Sequence, residues 1–300
     1  MDQRARPSLT YRSVFISDVH LGTPDCQAEL LAEFLDSLTC ERLFLVGDIV
    51  DGWRLKKGWR WPASHDAVAQ RLLAFAQAGV RVTYVPGNHD DRLRDFTGAH
   101  FAGVEVMREA VHETADGRRL LVAHGDDFDI LARGPFLKSW IGDAAYKALV
   151  AANTLLNRAR RALGLGYWSL AAQVKSALGR ARRYIVTFEE GAAEAARRRG
   201  LDGVICGHIH RAALRRIGEV LYANDGDWVE SCTALVEHVD GRLEILDWAA
   251  RRGSSMIAAS RSRSRAPLTV PSLAEPVSAA CAFSSPPTPG RRRSMASSAP

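Results

Sequence analysis

The segment YVPGNHDD, Tyr84–Asp91, ends an apolar run in Pro-Gly and then sets Asn88, His89 and Asp90 side by side. One interpretation is a tight turn, because Gly and Asn tolerate unusual backbone angles and Asp bonds to its own backbone. The other is the edge of a metal site, because Asn, His and Asp carry metal-ligand atoms. The segment alone favours the turn, so the decision depends on the rest of the chain.

Four other apolar runs also end in Asp or His. They precede Asp18-Val19-His20, Gly47-Asp48-Ile49-Val50-Asp51, Ala123-His124-Gly125-Asp126 and Gly207-His208-Ile209-His210. Ligands of open α/β sheets collect at the carboxyl ends of the strands, so we expect these groups to converge although they lie far apart in the chain. Five recurrences in order argue against chance. We therefore interpret Gly87–Asp90 as the edge of a site that also forms a turn.

The spacing and chemistry of these residues indicate a metal centre. Residues two apart in an extended segment project to the same side, so Asp18 with His20, and His208 with His210, can each aim two side chains at one point. A mixed set of imidazole and carboxylate ligands suits manganese, iron or zinc better than calcium. The donors exceed what one ion needs and are enough for two ions that share a carboxylate.

The apolar runs alternate with segments of helical periodicity, AELLAEFLDSL and AVAQRLLAFAQAG, which predicts an α/β sandwich. Residues 127–200 interrupt this alternation with long, Ala/Leu-rich and Arg-bearing segments, which predict an inserted helical cap. We divide the chain into an N-terminal extension (1–12), a core in two parts (13–126 and 201–250), a helical cap (127–200) and a disordered basic tail (251–300).

The charge is unevenly distributed. The net charge of +6 combines +7 in residues 251–300 and +9 in residues 130–200, which leaves −10 for the remainder. This asymmetry indicates one cationic surface that can meet phosphates or anionic lipid. No nucleic-acid-binding motif accompanies it, so no nucleic-acid partner is expected.

Composition and termini suggest a cytoplasmic location. No apolar stretch approaches the roughly 20 residues that span a bilayer. The first four residues lack the apolar segment of a signal peptide. The five cysteines form no CxxC pair and are scattered along the chain, so we expect reduced thiols.

The order of the motifs GDIVD, GNHD, HGDD and GHIH resembles the calcineurin-like metallophosphoesterase superfamily, from Val14 to about Trp248. The resemblance implies a metallophosphoesterase-type αββα sandwich and two divalent ions, with manganese expected and iron or zinc permitted. It implies a first ion bound by Asp18, His20, Asp48 and His210, and a second bound by Asp48, Asn88, His124 and His208. It also implies that His89 is the catalytic histidine and that Asp90 orients its ring.

Within the superfamily, the chain resembles the UDP-2,3-diacylglucosamine pyrophosphatases of lipid A synthesis in GDIVDGW, in HGDD and in the position of the helical insertion. This implies cleavage of a UDP-linked acylated glucosamine to UMP and a lipid monophosphate, by a protein peripheral on the inner face of the cell membrane. His89 departs from the Arg typical of that group, which leaves another nucleotide or a phospholipid as an alternative substrate. A non-catalytic scaffold is disfavoured because all seven ligand residues are present.

Three segments allow more than one interpretation. The cap carries Trp140, Tyr167 and Trp168 on basic helices and either binds an acylated substrate at an anionic membrane surface or only stabilises the sandwich. The loop WRLKKGWRWP, Trp53–Pro62, suits a membrane interface or base stacking, unless its Trp residues belong to the core. The segment YANDGDWVES is either a strand followed by a turn or a substrate contact.

Overall fold

The computed structural model describes residues 9–129, 153–158, 160–164 and 179–252. Most of the predicted cap, including Trp140, Tyr167 and Trp168, lies outside the described residues. So does the predicted basic tail beyond residue 252. The role of the cap and the disorder of the tail therefore stay predictions.

Strands and helices alternate along the described residues. The strands are β1 (Leu9–Ile16), β2 (Leu38–Val46), β3 (Arg81–Val85), β4 (His100–Phe101), β5 (Val104–Val106), β6 (Ala110–Glu113), β7 (Arg119–Val122), β8 (Gly203–Cys206), β9 (Ala213–Ile217), β10 (Val220–Asn224), β11 (Thr233–Glu237) and β12 (Leu243–Asp247). The α-helices are α1 (Ala28–Ser37), α2 (Gly52–Lys57), α3 (Ala63–Gln77) and α4 (Gly179–Arg198). Two short 3₁₀ helices are η1 (Asp91–Phe96) and η2 (Asp126–Phe128).

The strands form two sheets. One has the order β12-β11-β1-β2-β3-β5-β4 and the other β6-β7-β8-β10-β9. In the first, β1, β2, β3 and β5 are parallel neighbours, and in the second β7, β8 and β10 are. Parallel strands are covered on both faces, which explains why their sequences are nearly continuous apolar runs. The loops that follow these strands meet at one edge, where the His208 N–H donates to Asp18 Oδ2 over 2.8 Å.

Helices cover the outer faces, and a layer of apolar side chains joins the sheets. Helices α1 and α3 bury Leu31, Phe34 and Val68 against the seven-stranded sheet. Between the sheets, Phe15 and Phe44 of one meet residues such as Ile205 of the other. The order helix, sheet, sheet, helix confirms the predicted αββα sandwich.

Helix α4 corrects the predicted limits of the cap. It lies inside residues 127–200, yet it packs on the five-stranded sheet through Phe188, Ala192 and Ala196, which contact the cluster of Val204 and its neighbours. Small residues on one stripe let the helix approach the sheet closely. The helix is therefore a layer of the core. Neither α4 nor any other described helix has the length and hydropathy needed to span a bilayer.

The predicted start of the core is also corrected. Strand β1 begins at Leu9, inside the expected extension 1–12, and pairs with β2 from Leu9↔Leu38 onward. Tyr11 is buried in the core and Arg12 contacts Glu237. Polar residues at the start of β1 masked its alternation in the sequence.

Candidate metal centre and active site

Sharp turns at the ends of the strands deliver the candidate ligands. Five of these residues have positive φ although they are not glycine, namely Asp18 (49°), His20 (54°), Asp48 (52°), His208 (69°) and His210 (51°). Such backbone is strained for residues with a Cβ and tends to concentrate at functional sites. Hydrogen bonds between the loops hold it, including Asp18 N–H to Gly47 O at 3.0 Å and His20 N–H to Asp48 O at 2.9 Å.

A first cluster forms around Asp18, His20 and His210. His210 Nε2 lies 3.0 Å from Asp18 Oδ1, and His20 Nε2 lies 3.9 Å from the same oxygen. The two imidazole Nε2 atoms are 3.4 Å apart. Three ligand atoms therefore face one small volume, as the spacing of the two sequence motifs predicts.

A second cluster forms around Asp48 and His124, and Asp48 also reaches His20 of the first cluster. Asp48 Oδ2 lies 3.4 Å from His124 Nε2 and 3.9 Å from His20 Nε2. The Asn88 Oδ1 atom lies 3.2 Å from His124 Nε2, and the other nitrogen of that ring faces the Val46 carbonyl at 2.9 Å. Asp48 thus lies between the two clusters, where a bridging carboxylate is needed.

The His208 ring packs edge-on against the His124 ring, with centroids 5.2 Å apart. Its Nε2 faces Asp129 Oδ2 at 3.3 Å, and the Tyr184 hydroxyl of α4 donates to the same oxygen over 2.6 Å. Asp129 is buried, and the sequence motifs did not single it out. A carboxylate on one ring nitrogen orients the other nitrogen of a ligand histidine, so Asp129 and Tyr184 support His208.

The candidate catalytic His89 lies at the rim, but its partner differs from the prediction. His89 Nδ1 is 2.9 Å from Asp51 Oδ2, and the same oxygen is 3.3 Å from His20 Nδ1. The Trp53 ring stacks on the His89 ring at 4.2 Å between centroids. Asp51 and Trp53, both within the motif GDIVDGW, therefore orient the His89 ring, a role that the family resemblance assigns to Asp90.

Asp90 has a structural task instead. Its carboxylate accepts hydrogen bonds from the backbone N–H groups of Gly87 (2.6 Å) and Ile49 (2.9 Å) and from the Tyr84 hydroxyl (2.5 Å). These bonds tie the loop after β3 to the loop after β2. The physical reason is direction: adjacent residues in a tight turn point apart, so Asp90 turns inward while His89 faces the site.

The segment YANDGDWVES forms a strand and a turn. The buried Asp225 accepts a hydrogen bond from Ser17 Oγ at 2.6 Å, and Ser17 Oγ is also 2.6 Å from Asp18 Oδ2. Asp227 accepts from the Val229 N–H at 2.8 Å within the following turn. The segment supports Asp18 from behind, which favours the strand-and-turn interpretation.

The site is strongly negative, with basic rings interleaved. Burial would raise the pKa of Asp18, but the His210 imidazole outweighs it and lowers that pKa to about 2. Burial would also raise the pKa of Asp48, but the His124 imidazole outweighs burial and lowers that pKa. Despite its burial, His124 has a pKa well above the ordinary value because Asp48 faces it. Burial would likewise lower the pKa of His89, but contacts with Asp51 and Asp48 raise it.

These residues fit divalent cations. Ligand atoms of Asp18, His20 and His210 lie within 4.8 Å of one another, as do those of Asp18, Asp48 and His124. The buried Asp18 Oδ1 lacks a well-aligned hydrogen bond, although His210 Nε2 lies 3.0 Å and His20 Nε2 3.9 Å from it. A Cβ at Gly87 would strike Asp48, so glycine is required where the backbone passes close to the ligands. Ionised carboxylates and imidazole nitrogens aimed at shared points are the donor set of a transition-metal pair.

The comparisons with known proteins agree with this geometry. The family model for calcineurin-like phosphoesterases matches residues 11–212. A protein named UDP-2,3-diacylglucosamine hydrolase from Xanthomonas campestris pv. campestris (strain B100) is 30% identical over 245 residues, which cover 76% of this chain and 96% of that protein. A protein of the same name from Stenotrophomonas maltophilia (strain R551-3) is 28% identical over 243 residues, with the same coverage of both chains.

Among solved structures, the phosphoesterase YfcE from E. coli aligns with 78% of this chain and 98% of its own, at 15% identity and a TM-score of 0.35. A likeness at that level adds no argument about this chain. The family match, by contrast, covers most of the described sandwich and all the loops that carry the candidate ligands. The chain belongs to the calcineurin-like phosphoesterase family and is a metal-dependent phosphoesterase hydrolase.

Proposed function

We propose that this protein hydrolyses the pyrophosphate of a UDP-linked acylated glucosamine, giving UMP and a lipid monophosphate. The observation that carries the proposal is that Asp48 Oδ2 lies 3.4 Å from His124 Nε2 and 3.9 Å from His20 Nε2, so one carboxylate is near both ligand clusters, as a two-cation phosphoryl-transfer site requires. The substrate class is supported by the relatives named UDP-2,3-diacylglucosamine hydrolase, which the chain matches over 96% of their length.

We assign one cation to Asp18, His20, Asp48 and His210, and a second to Asp48, Asn88, His124 and His208. Two bound cations would supply charge neutralisation for the phosphoryl oxygens and an acidified water as nucleophile. Manganese is the expected metal, and the donor set also admits iron or zinc. Ser17 and Asp225 hold Asp18 in place, and Asp129 with Tyr184 holds His208.

His89 acts at the rim of the centre. Asp51 and Asp48 raise its pKa, so more of the ring is protonated near neutral pH. A protonated ring can donate to a phosphoryl oxygen or to the leaving oxygen. The contact of Nδ1 with Asp51 leaves Nε2, which is 4.0 Å from Asp48 Oδ2, as the nitrogen that faces the reacting group.

A second candidate is the same chemistry on a different nucleotide or on a phospholipid. The observation in its favour is His89 itself, because the lipid A pyrophosphatases that the chain resembles typically have Arg there. Arg and His differ in reach and in charge at neutral pH, so the substrate's phosphate environment can differ. A panel of UDP-sugars, acylated and not, distinguishes the two candidates through their relative kcat/KM.

The metal-dependent activity is tested with Asp48→Ala and His124→Ala. Each removes a ligand from a cluster, and turnover of an activated phosphodiester should fall by at least about a thousand-fold. The exposed Asp91→Asn serves as a control of the same side-chain class and should keep wild-type turnover. Metal analysis of the purified protein should give close to two ions per chain and name the metal. Wild-type turnover in either ligand variant would refute the assignment.

We also propose a peripheral location on the cytoplasmic face of the membrane, where an acylated nucleotide sugar would be met. The predicted cap is one element that could mediate it, through basic helices with Trp140, Tyr167 and Trp168. Those residues lie outside the described ranges, so the support comes from the sequence alone. Residues 52–62 form a second basic surface, and they lie within the described part of the chain.

A further inference from the structure

Residues 52–62 form an exposed surface beside the active site, which we name the aromatic–basic ridge. Trp59 is 76% exposed and Trp53 is 45% exposed, and Lys56 and Lys57 between them and Arg60 after Trp59 are exposed as well. Most tryptophans are largely buried, since water contact with so large a ring is unfavourable. Trp53 and Trp59 therefore do not belong to the core, which contradicts one interpretation of the loop for these two residues.

The charges of the ridge have the same sign. It contains Arg54, Lys56, Lys57 and Arg60 and no acidic residue. The acidic residues that flank it in the sequence are engaged elsewhere: Asp51 caps α2 through the Arg54 N–H at 2.7 Å and contacts His89, and Asp66 accepts from Gln70 at 2.7 Å. Exposed cations that alternate with exposed aromatic rings fit a partner that is negative at its surface and apolar beneath.

The ridge is fixed to the active site. The Gly52 N–H donates to the His89 carbonyl over 3.0 Å, and Trp53 stacks on the His89 ring. At the other end, the half-buried Trp61 packs on the core beside His65, with ring centroids 5.9 Å apart, and carries Trp59 stacked on it at 6.0 Å. A cavity of about 250 Å³ opens between α2 and η1, with Lys56 and His89 in its wall.

We propose that the aromatic–basic ridge binds the surface of an anionic lipid bilayer. Trp59 would lie at the level of the headgroups, where an aromatic ring can be apolar on one side and hydrated on the other. Lys57 and Arg60 would face the lipid phosphates, as basic residues near an anionic leaflet do. Because α2 is tied to His89, binding would turn the cavity and the metal centre toward the membrane. This inference concerns attachment and does not depend on the substrate proposed above.

The test is co-sedimentation of the full chain with vesicles of phosphatidylcholine that contain phosphatidylglycerol, and with vesicles of phosphatidylcholine alone. Lys57→Glu combined with Arg60→Glu should lower partitioning onto the anionic vesicles by at least about twenty-fold, since each basic residue is worth on the order of five-fold and the new carboxylates are repelled as well. Trp59→Ser should weaken binding in low and high salt alike, because its contribution is apolar. Thermal unfolding checks that each variant is folded.

The matched control is Arg81→Glu combined with Arg216→Glu. It makes the same change in charge at two exposed positions away from the ridge, one of them the first residue of β3 and so far from the carboxyl edge. The control should bind as the wild type does. Unchanged binding of the folded ridge variant would overturn the proposal and assign attachment to the cap or the tail. Binding of a single-stranded oligonucleotide is measured in parallel. If the ridge variant loses oligonucleotide binding while its vesicle binding is unchanged, the proposal is overturned in favour of a nucleic acid.

Discussion

Two buried charge clusters, one between the sheets and one at the carboxyl edge of the strands, are balanced in different ways. In the Glu237 cluster, Glu237 Oε1 accepts from Arg12 at 2.7 Å and from the Ala115 N–H at 2.8 Å, and Oε2 lies 2.8 Å from His112 Nε2. Both carboxylate oxygens are satisfied by the protein itself. At the carboxyl edge, by contrast, the buried Asp18 Oδ1 faces the imidazole nitrogens of His210 and His20 without a well-aligned hydrogen bond.

The difference separates a structural site from one that requires cations. Burying a charge costs several kcal/mol unless partners compensate for it, and the Glu237 cluster provides those partners internally. The metal centre instead collects Asp18, Asp48 and Asp51 around imidazole rings whose nitrogens face one another. Such an arrangement is favourable once divalent cations bind. The two clusters have similar polar composition. What distinguishes them is the direction in which the lone pairs point.

The largest expected effect is that of metal removal. Chelation should abolish turnover and lower the melting temperature by about 10 °C, since ligands bound at a hundred to a thousand times Kd stabilise by about 3–4 kcal/mol. Added manganese should restore both. The measurements are phosphodiester hydrolysis and calorimetry of the chelated and reloaded protein. Full activity after complete chelation would mean that the cluster at the carboxyl edge does not require cations.

The next effect concerns His89. Asp51→Asn removes the charge that raises the pKa of His89, so kcat at saturating metal should fall about a hundred-fold, as for loss of a general acid. The alkaline limb of the pH–rate profile, on which the rate falls as His89 loses its proton, should move to lower pH because the pKa of the ring falls. The exposed Asp91→Asn is the control. If Asp90→Asn shifted this limb and Asp51→Asn did not, the original pairing of His89 with Asp90 would be restored.

Glu237→Gln should lower stability and leave activity intact, the reverse of the effect expected for Asp51→Asn. It leaves a buried amide among donors that need an acceptor, and the free energy of unfolding should fall by about 2–3 kcal/mol without loss of turnover or bound metal. Urea denaturation measures this. Glu244→Gln is a matched control on the same sheet, because Glu244 is partly exposed and its pairs with His238 and Arg242 should contribute less than about 1 kcal/mol. A loss of metal in Glu237→Gln would contradict the separation of the clusters.

A smaller effect is expected behind His208. Asp129→Asn should weaken metal affinity by about ten-fold while kcat at saturating metal stays unchanged, because it loosens the ring that we propose as a cation ligand. Tyr184→Phe should act in the same direction, and the exposed Asp127→Asn should not. Titration of the metal-free protein, followed by calorimetry, gives the affinities. Equal affinities in wild type and Asp129→Asn would show that His208 needs no support.

The smallest effect is a pH dependence of stability. Burial would raise the pKa of Glu237, but hydrogen bonds from His112 and Ala115 lower it to about 2. The contribution of Glu237 is therefore fully present above the unfolded pKa of about 4.3 and is lost as pH falls toward 2. Between pH about 5 and about 4, wild type should lose about half a kcal/mol more than Glu237→Gln. Urea midpoints at both pH values test this, and parallel pH curves would contradict it.

The sequence by itself determined the architecture and the ligands. Apolar runs that end in Asp18, Asp48 or His124 need burial on both faces, so they become parallel strands whose polar ends meet at one edge. Because this logic depends on composition and spacing, it holds without knowledge of any contact. It predicted an α/β sandwich, which the family resemblance specified as αββα, and it predicted seven candidate ligands that the structure brings to one edge.

Only the tertiary structure decided which side chain serves which partner. His89 contacts Asp51 and not its neighbour Asp90, because adjacent residues of the turn point apart while a residue far along the chain points in. Helix α4 belongs to the core because the five-stranded sheet presents an apolar face to its stripe of alanines. Trp59 is exposed because its neighbour Trp61 occupies the place against the core. The first two outcomes depend on residues distant in sequence, and the third depends on which of two nearby tryptophans reaches the core; periodicity carries no information about either.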